Sequence, residues 1–132
     1  MAEYSHVNLS ELDDQAANLG LDPERFNLRF GRVPLGCEYC GVSYLRLAPG
    51  AKSHGHRHKR QEEIYVLVDG SATMKVGDDE LQLKRWSAVR VPPQVMRGIK
   101  GGPEGAEVIA VGAPNTGPGD GDEPDPSWSW DD

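Results

Sequence analysis

Three histidines stand two residues apart, at His54, His56 and His58, and Glu63 follows five residues after the last. Imidazole nitrogens and carboxylate oxygens are the donors that divalent transition ions take. In an extended chain residues two apart project to one side, so His56 and His58, with His54, present their rings together while Arg57 and Lys59 face away. A turn through Lys59-Arg60-Gln61 brings the next strand back antiparallel and sets Glu63 beside the pair. Two imidazoles and one carboxylate with open positions suit a divalent transition metal, whether Fe, Mn, Ni, Co or Zn, and the donors do not choose among these.

The elements that must carry these residues are strands. From about Leu28 the chain reads as short β-like runs separated by turn residues: Leu28–Val33, Val42–Leu47, Glu63–Val68, Ala72–Val76, Leu81–Lys84, Ala88–Val91, Val95–Ile99 and Glu107–Val111. Turns fall at Pro49-Gly50, Asp69-Gly70, Gly77-Asp78-Asp79, Pro92-Pro93 and Gly101-Gly102-Pro103, the spacing of an all-β sandwich or barrel. Before them, Ser10 caps and Gly20 stops an expected short helix with Leu12, Ala16 and Leu19 on its apolar side. After Pro114 the chain is too rich in Pro, Gly and acids to build a packed element. The expected organisation is a helical arm over 1–27, a β-barrel over 28–113 and an acidic tail over 114–132. Trp128 and Trp130 are out of place in such a tail, and their spacing suits docking on a sheet edge or a barrel mouth.

At Gly50, His56, His58, Glu63 and Gly70 the chain meets every fixed position of G-x5-H-x-H-x3,4-E-x6-G. It thereby resembles the cupin superfamily, specifically its small single-domain bacterial members, from about Leu28 to Ala113. The resemblance implies a double-stranded β-helix, a jelly-roll barrel with its site inside and His56, His58 and Glu63 as ligands. It also implies a homodimer, because cupin sheets commonly bury an edge against a second copy. The second cupin motif, G-x5-P-x-G-x2-H-x3-N, is not kept. Aligned on Val91-Pro92-Pro93, its glycines become Trp86 and Gln94, and its histidine becomes Arg97. A guanidinium stays protonated and has no lone pair for a metal. Arg97 therefore either neutralises Glu63 in a metal-free pocket, faces the carboxylate or phosphate of a small molecule, or sits at the rim in solvent. Tyr44, Tyr65, Met74 and Met96 are candidates to line the pocket, with His54 at its mouth, although strand aromatics and methionines also serve as plain core.

Composition narrows the partners. The net charge of −7 is concentrated in the tail, where Asp120, Asp122, Glu123, Asp125, Asp131 and Asp132 face no Lys or Arg, so the body is almost neutral. A neutral body without a basic stripe offers nothing to nucleic-acid phosphates or to a polybasic membrane contact, leaving a small-molecule ligand as the expected partner. No run approaches the ~18 apolar residues of a membrane span, and Met1-Ala2-Glu3-Tyr4 lacks the regions of a signal peptide, so a cytoplasmic protein is expected. Cys37 and Cys40 form a single C-x-x-C without the second pair of a structural zinc site, and are expected to be reduced, small packing residues. Three functions fit this reading: a metal-dependent enzyme acting on a small anionic substrate, a non-catalytic binding or sensing module, and a metal-free barrel with an Arg97–Glu63 ion pair.

Overall fold

Alternation of inward apolar and outward polar side chains begins at Phe26 and governs nearly everything that follows. A computed structural model describes residues 3–116 and Trp130. Among the described residues the strands are β1 (Phe26–Phe30), β2 (Gly41–Leu47), β3 (Glu62–Val76), β4 (Asp79–Leu83), β5 (Ala88–Val91) and β6 (Arg97–Ala113). They hydrogen-bond in the order β1-β2-β6-β3-β4, with β5 on β3, and every pairing is antiparallel. This is the all-β jelly-roll architecture that the sequence implied. No described helix is long and apolar enough to cross a membrane.

The spine is the pairing of two long strands, β3 and β6, from Glu62 opposite Ala113 to Val76 opposite Arg97. Each was expected to be two short strands with a turn between them. Instead Asp69-Gly70 and the Gly101-Gly102-Pro103 stretch lie inside continuous strands, where register shifts at Leu67/Asp69 and Gly70/Ala72 take up the irregularity. The shifts change which residues face inward. On β3 the buried positions are Tyr65 and Leu67 before the bulges but Ala72 and Met74 after them. On β6 they are Arg97 and Ile99, then Ala106, Val108 and Ala110. A bulge bends and twists a strand, letting one strand run through both halves of a barrel. Gly70 has φ of 79°, and a Cβ there would lie 2.1 Å from the Gly105 carbonyl oxygen, so the crossing requires glycine.

The N-terminal arm differs from the expected helix. It holds two isolated 3-10 turns, Leu9–Glu11 and Ala17–Leu19. Side-chain bonds to the backbone displace the helix ladder here. Asp14 accepts from the backbone N–H groups of Ala16 (3.1 Å) and Leu28 (2.9 Å) and from the Asn27 amide (2.7 Å), which ties the arm to β1. The expected strand to Val33 stops at Phe30, and a single α-helical turn, α1 (Arg32–Leu35), follows and ends at Gly36 with φ of 68°. Both cysteines are free, but Cys40 is exposed rather than packed.

The core runs along the inward faces of β2, β3, β5 and β6. Leu47, Leu67, Met74, Val91 and Val108 are essentially inaccessible, and Arg97 is buried with them at 1% exposure.

Candidate functional site

His56 sits on a short bridge to the first residue of β6. Its N–H donates to the Arg97 carbonyl at 3.0 Å, and the Arg97 N–H donates back to the His56 carbonyl at 2.9 Å. The His58 carbonyl accepts from the Gln94 N–H at 2.6 Å. Backbone pairing thus locks the histidine segment across the start of β6, while Glu63 and Tyr65 project inward from β3. His56, His58 and Glu63 each bring a donor atom to within 4.8 Å of the others.

Glu63 Oε1 is the focus of the cluster. It accepts from the Tyr65 hydroxyl at 2.6 Å, lies 3.1 Å from His58 Nε2 and 3.9 Å from His56 Nε2, and is 3.6 Å from Arg97 Nη1. The two imidazoles meet edge to face with ring centres 5.3 Å apart. Burial would raise the Glu63 pKa, but the two histidines and the Tyr65 hydroxyl outweigh it and hold the carboxyl well below the usual range. Burial and the neighbouring Glu63 charge push Tyr65 upward against the pull of Arg97, so its hydroxyl stays a donor. Ligand atoms 2.0–2.2 Å from a tetrahedral ion stand about 3.4 Å apart. The 3.1 and 3.9 Å separations bracket that spacing, so the donors fit one divalent ion.

Arg97 donates from Nη2 to the Pro92 carbonyl at 2.9 Å. Its Nε and Nη1 are buried and have no hydrogen-bond partner among the described residues. Such groups are rare in a folded interior, because each forgoes the hydrogen bonds water would give. The guanidinium lies inside the barrel, not at the rim.

These residues line a cavity of about 640 Å³. His54, His56, His58, Glu63, Tyr65, Met74 and Arg97 all line it. Tyr44 and Met96 do not; strand alternation explains Tyr44, whereas Met96 lies in the segment before β6. Tyr44 lies between Ser43 and Leu45, which face inward on β2, and its hydroxyl donates to Glu107 on the outer surface at 2.5 Å. Met96 directly precedes the inward Arg97. Glu62, the neighbour of Glu63 on β3, forms a surface ion pair with Arg90 at 2.6 Å. The sequence reading missed the cavity wall formed by Phe26, Leu28 and Phe30 of β1 and by Leu19 and Leu21 of the arm. Its signal was the alternation Phe26-Asn-Leu28-Arg-Phe30, whose inward side faces the site.

Trp130 approaches the same region. Its indole N–H donates to the Ser53 carbonyl at 3.4 Å, and the Lys100 ammonium lies 5.4 Å from its ring centre. Trp128 lies outside the described residues.

The departures from the second cupin motif have a backbone signature. Among the described residues Trp86 and Gln94 are the non-glycine residues with positive φ, at 74° and 69°, and they occupy its two glycine positions. The left-handed turns are kept although the glycines are not, at a cost of roughly 1–2 kcal/mol each. Trp86 is 67% exposed and stacks against Arg85, with 5.6 Å from guanidinium carbon to ring centre.

Comparison with known proteins agrees with this geometry. The family model described as a cupin domain matches residues 43–112. No curated protein sequence matches the chain significantly. Among solved structures, KdgF from a Halomonas species is similar at 18% identity over 86% of this chain and 94% of its own, with a TM-score of 0.69. A cupin protein from Bacteroides fragilis is similar at 18% identity over 88% of each chain, with a TM-score of 0.70. Oxalate decarboxylase from Bacillus subtilis is similar at 19% identity, with a TM-score of 0.70, over 93% of this chain but 33% of its own.

Proposed function

The chain belongs to the cupin family, and we propose that it is a metal-binding cupin that holds a small anionic molecule inside its barrel. His56, His58 and Glu63 would hold one divalent transition ion. When bound, such an ion acts as a Lewis acid toward an oxygen of the ligand. The chain's own residues do the positioning. Tyr65 fixes the Glu63 carboxylate through its short hydrogen bond, and the bridge between His56 and Arg97 fixes the imidazoles against β6. Arg97 supplies the positive charge that draws an anion to the cluster. The observation carrying this reading is the convergence of three donors within 4.8 Å beside a buried guanidinium two of whose nitrogens make no hydrogen bond among the described residues.

A second reading rests on the 3.6 Å approach of Arg97 Nη1 to Glu63 Oε1. In it the guanidinium replaces the cation and the barrel is metal-free. Metal analysis of protein purified without chelator or added metal separates the two. The proposed reading expects close to one transition-metal ion per chain, lost in a His56→Ala, His58→Ala double variant because one carboxylate does not retain a divalent ion. Protein that holds no metal and refuses added Ni, Co and Zn overturns it.

The reading includes a homodimer. Ile64 and Val111, paired across β3 and β6 and both exposed, support a face for a second copy. Sedimentation velocity at micromolar protein tests this, and a 14 kDa particle would reject it.

A further inference from the structure

The lining of the cavity is split by chemistry. Its charged groups, His56, His58, Glu63 and Arg97, form the one contiguous cluster described above. Most of the remaining wall is apolar: Phe26, Leu28, Phe30, Leu45, Met74 and Ile99, with Leu19 and Leu21 from the arm. The other polar side chains on the lining are Asn18, Ser43, Ser53, His54 and Tyr65, of which Ser53 accepts from the Ile99 N–H at 2.9 Å, Asn18 donates to Gln15 at 2.8 Å and Tyr65 donates to Glu63 at 2.6 Å. At about 640 Å³ the space falls within the ~300–1,000 Å³ range of pockets that hold small organic ligands. A two-carbon diacid would leave most of it unfilled. A sugar would bring many hydroxyls against the apolar part of the wall, and unmatched polar groups are costly to bury. An ion in the histidine–glutamate set would still leave Arg97 Nε without a hydrogen bond and Nη1 with only the 3.6 Å approach of Glu63.

We propose that the cavity takes an amphiphilic monocarboxylic acid, its carboxylate answering Arg97 and its hydrocarbon body lying against the Phe26, Leu28 and Met74 wall. The inference deepens the anion-binding reading above and rests on it. Phe30, at 44% exposure, stands at the open side of the wall, so the far end of a longer acid reaches it.

The test is calorimetric titration of the protein as purified with acetate, butyrate, hexanoate and octanoate. Burying one methylene strengthens binding about fourfold, so affinity should rise about 16-fold for every two carbons until the wall is covered. Hexanamide, which lacks the charge, should bind at least tenfold more weakly than hexanoate, and gluconate, a six-carbon acid carrying hydroxyls, no better than acetate. Phe30→Ser should weaken octanoate and leave acetate unchanged. Equal affinities from acetate to octanoate, or gluconate binding as tightly as hexanoate, would overturn the inference, and the unmodified protein alone decides this if the variant does not fold. Metal content measured on the same sample separates the two proposals. A steep series on protein that neither holds nor takes up metal overturns the metal centre and keeps the acid site, whereas a flat series on metal-loaded protein does the reverse.

Discussion

Two tyrosine–carboxylate hydrogen bonds in this barrel have nearly the same length and different surroundings. Inside, Tyr65 donates to Glu63 at 2.6 Å. Outside, Tyr44 donates to Glu107 at 2.5 Å across β2 and β6. The outer pair sits in a surface network in which Arg46 reaches Asn27 at 2.6 Å, and water supplies whatever the protein does not. The inner carboxylate gathers two imidazoles and a buried guanidinium where water is scarce. A hydrogen bond that merely fastens two strands in the first setting builds a charged, ligand-ready cluster in the second. The difference lies in the company each carboxylate keeps, because low-dielectric surroundings magnify every unmet charge and donor.

The largest expected effect breaks the inner cluster. In metal-stripped protein, Arg97→Ala leaves Glu63 buried without its guanidinium and should cost about 3–5 kcal/mol by urea denaturation. Adding a divalent cation should restore part of the loss, since an ion bound only by the folded state stabilises it. An unchanged denaturation midpoint with and without metal would show that Arg97 does not serve Glu63.

Removing the two hydroxyls compares the pairs directly. Tyr65→Phe deletes a buried hydrogen bond to a charged group and should cost about 1.5–3 kcal/mol, whereas Tyr44→Phe, on the wetter face, should cost about 1 kcal/mol or less. Equal losses would mean that the surroundings do not distinguish the pairs.

The outer pair also predicts a response to alkali. Burial, with the hydrogen bond and charge of Glu107, pushes Tyr44 from 10.0 to about 12, against the pull of Arg46 and Arg29. The folded state therefore favours the neutral phenol. This stabilisation is fully present below about pH 10 and is lost as the pH rises toward 12, because the unfolded chain ionises first. Melting curves between pH 9 and pH 11 should fall more steeply for the parent protein than for Tyr44→Phe, and parallel curves would contradict the shift.

The smallest effect lies between the two regions, at the turn before Arg97. Gln94→Gly relieves a positive φ of 69° but loosens the unfolded chain, so a gain of about 0.5 kcal/mol is expected. A loss would mean that the Gln94 side chain holds the turn.

Strand content and most of the inner cluster were legible in the sequence because both depend on local periodicity. His56, His58 and Glu63 could be grouped from a two-residue repeat and one short turn. The inward Phe26, Leu28 and Phe30 follow the same repeat, which starts two residues before the expected strand at Leu28, and nothing local says what such a face will meet. The arm was misread because Ser10, the apolar spacing and Gly20 satisfy helix rules, while the competing bonds of Asp14 run to Leu28 and Asn27, fourteen and thirteen residues away.

By itself the sequence determined that the chain is all-β and that two imidazoles and a carboxylate share one face, since side-chain direction in a strand is set by the nearest neighbours alone. It also determined that the position of the second motif's histidine holds a permanent cation, since that is a matter of residue type. Only the tertiary structure decided where that cation goes. Arg97 is buried because β6 pairs with β3 along its whole length and with His56 at its start. The same pairing decided that Asp69-Gly70 is a bulge and not a turn, which reverses the inward parity along β3 and brings Met74 into the cavity. These outcomes depend on contacts between residues tens of positions apart, whose energies no local pattern encodes.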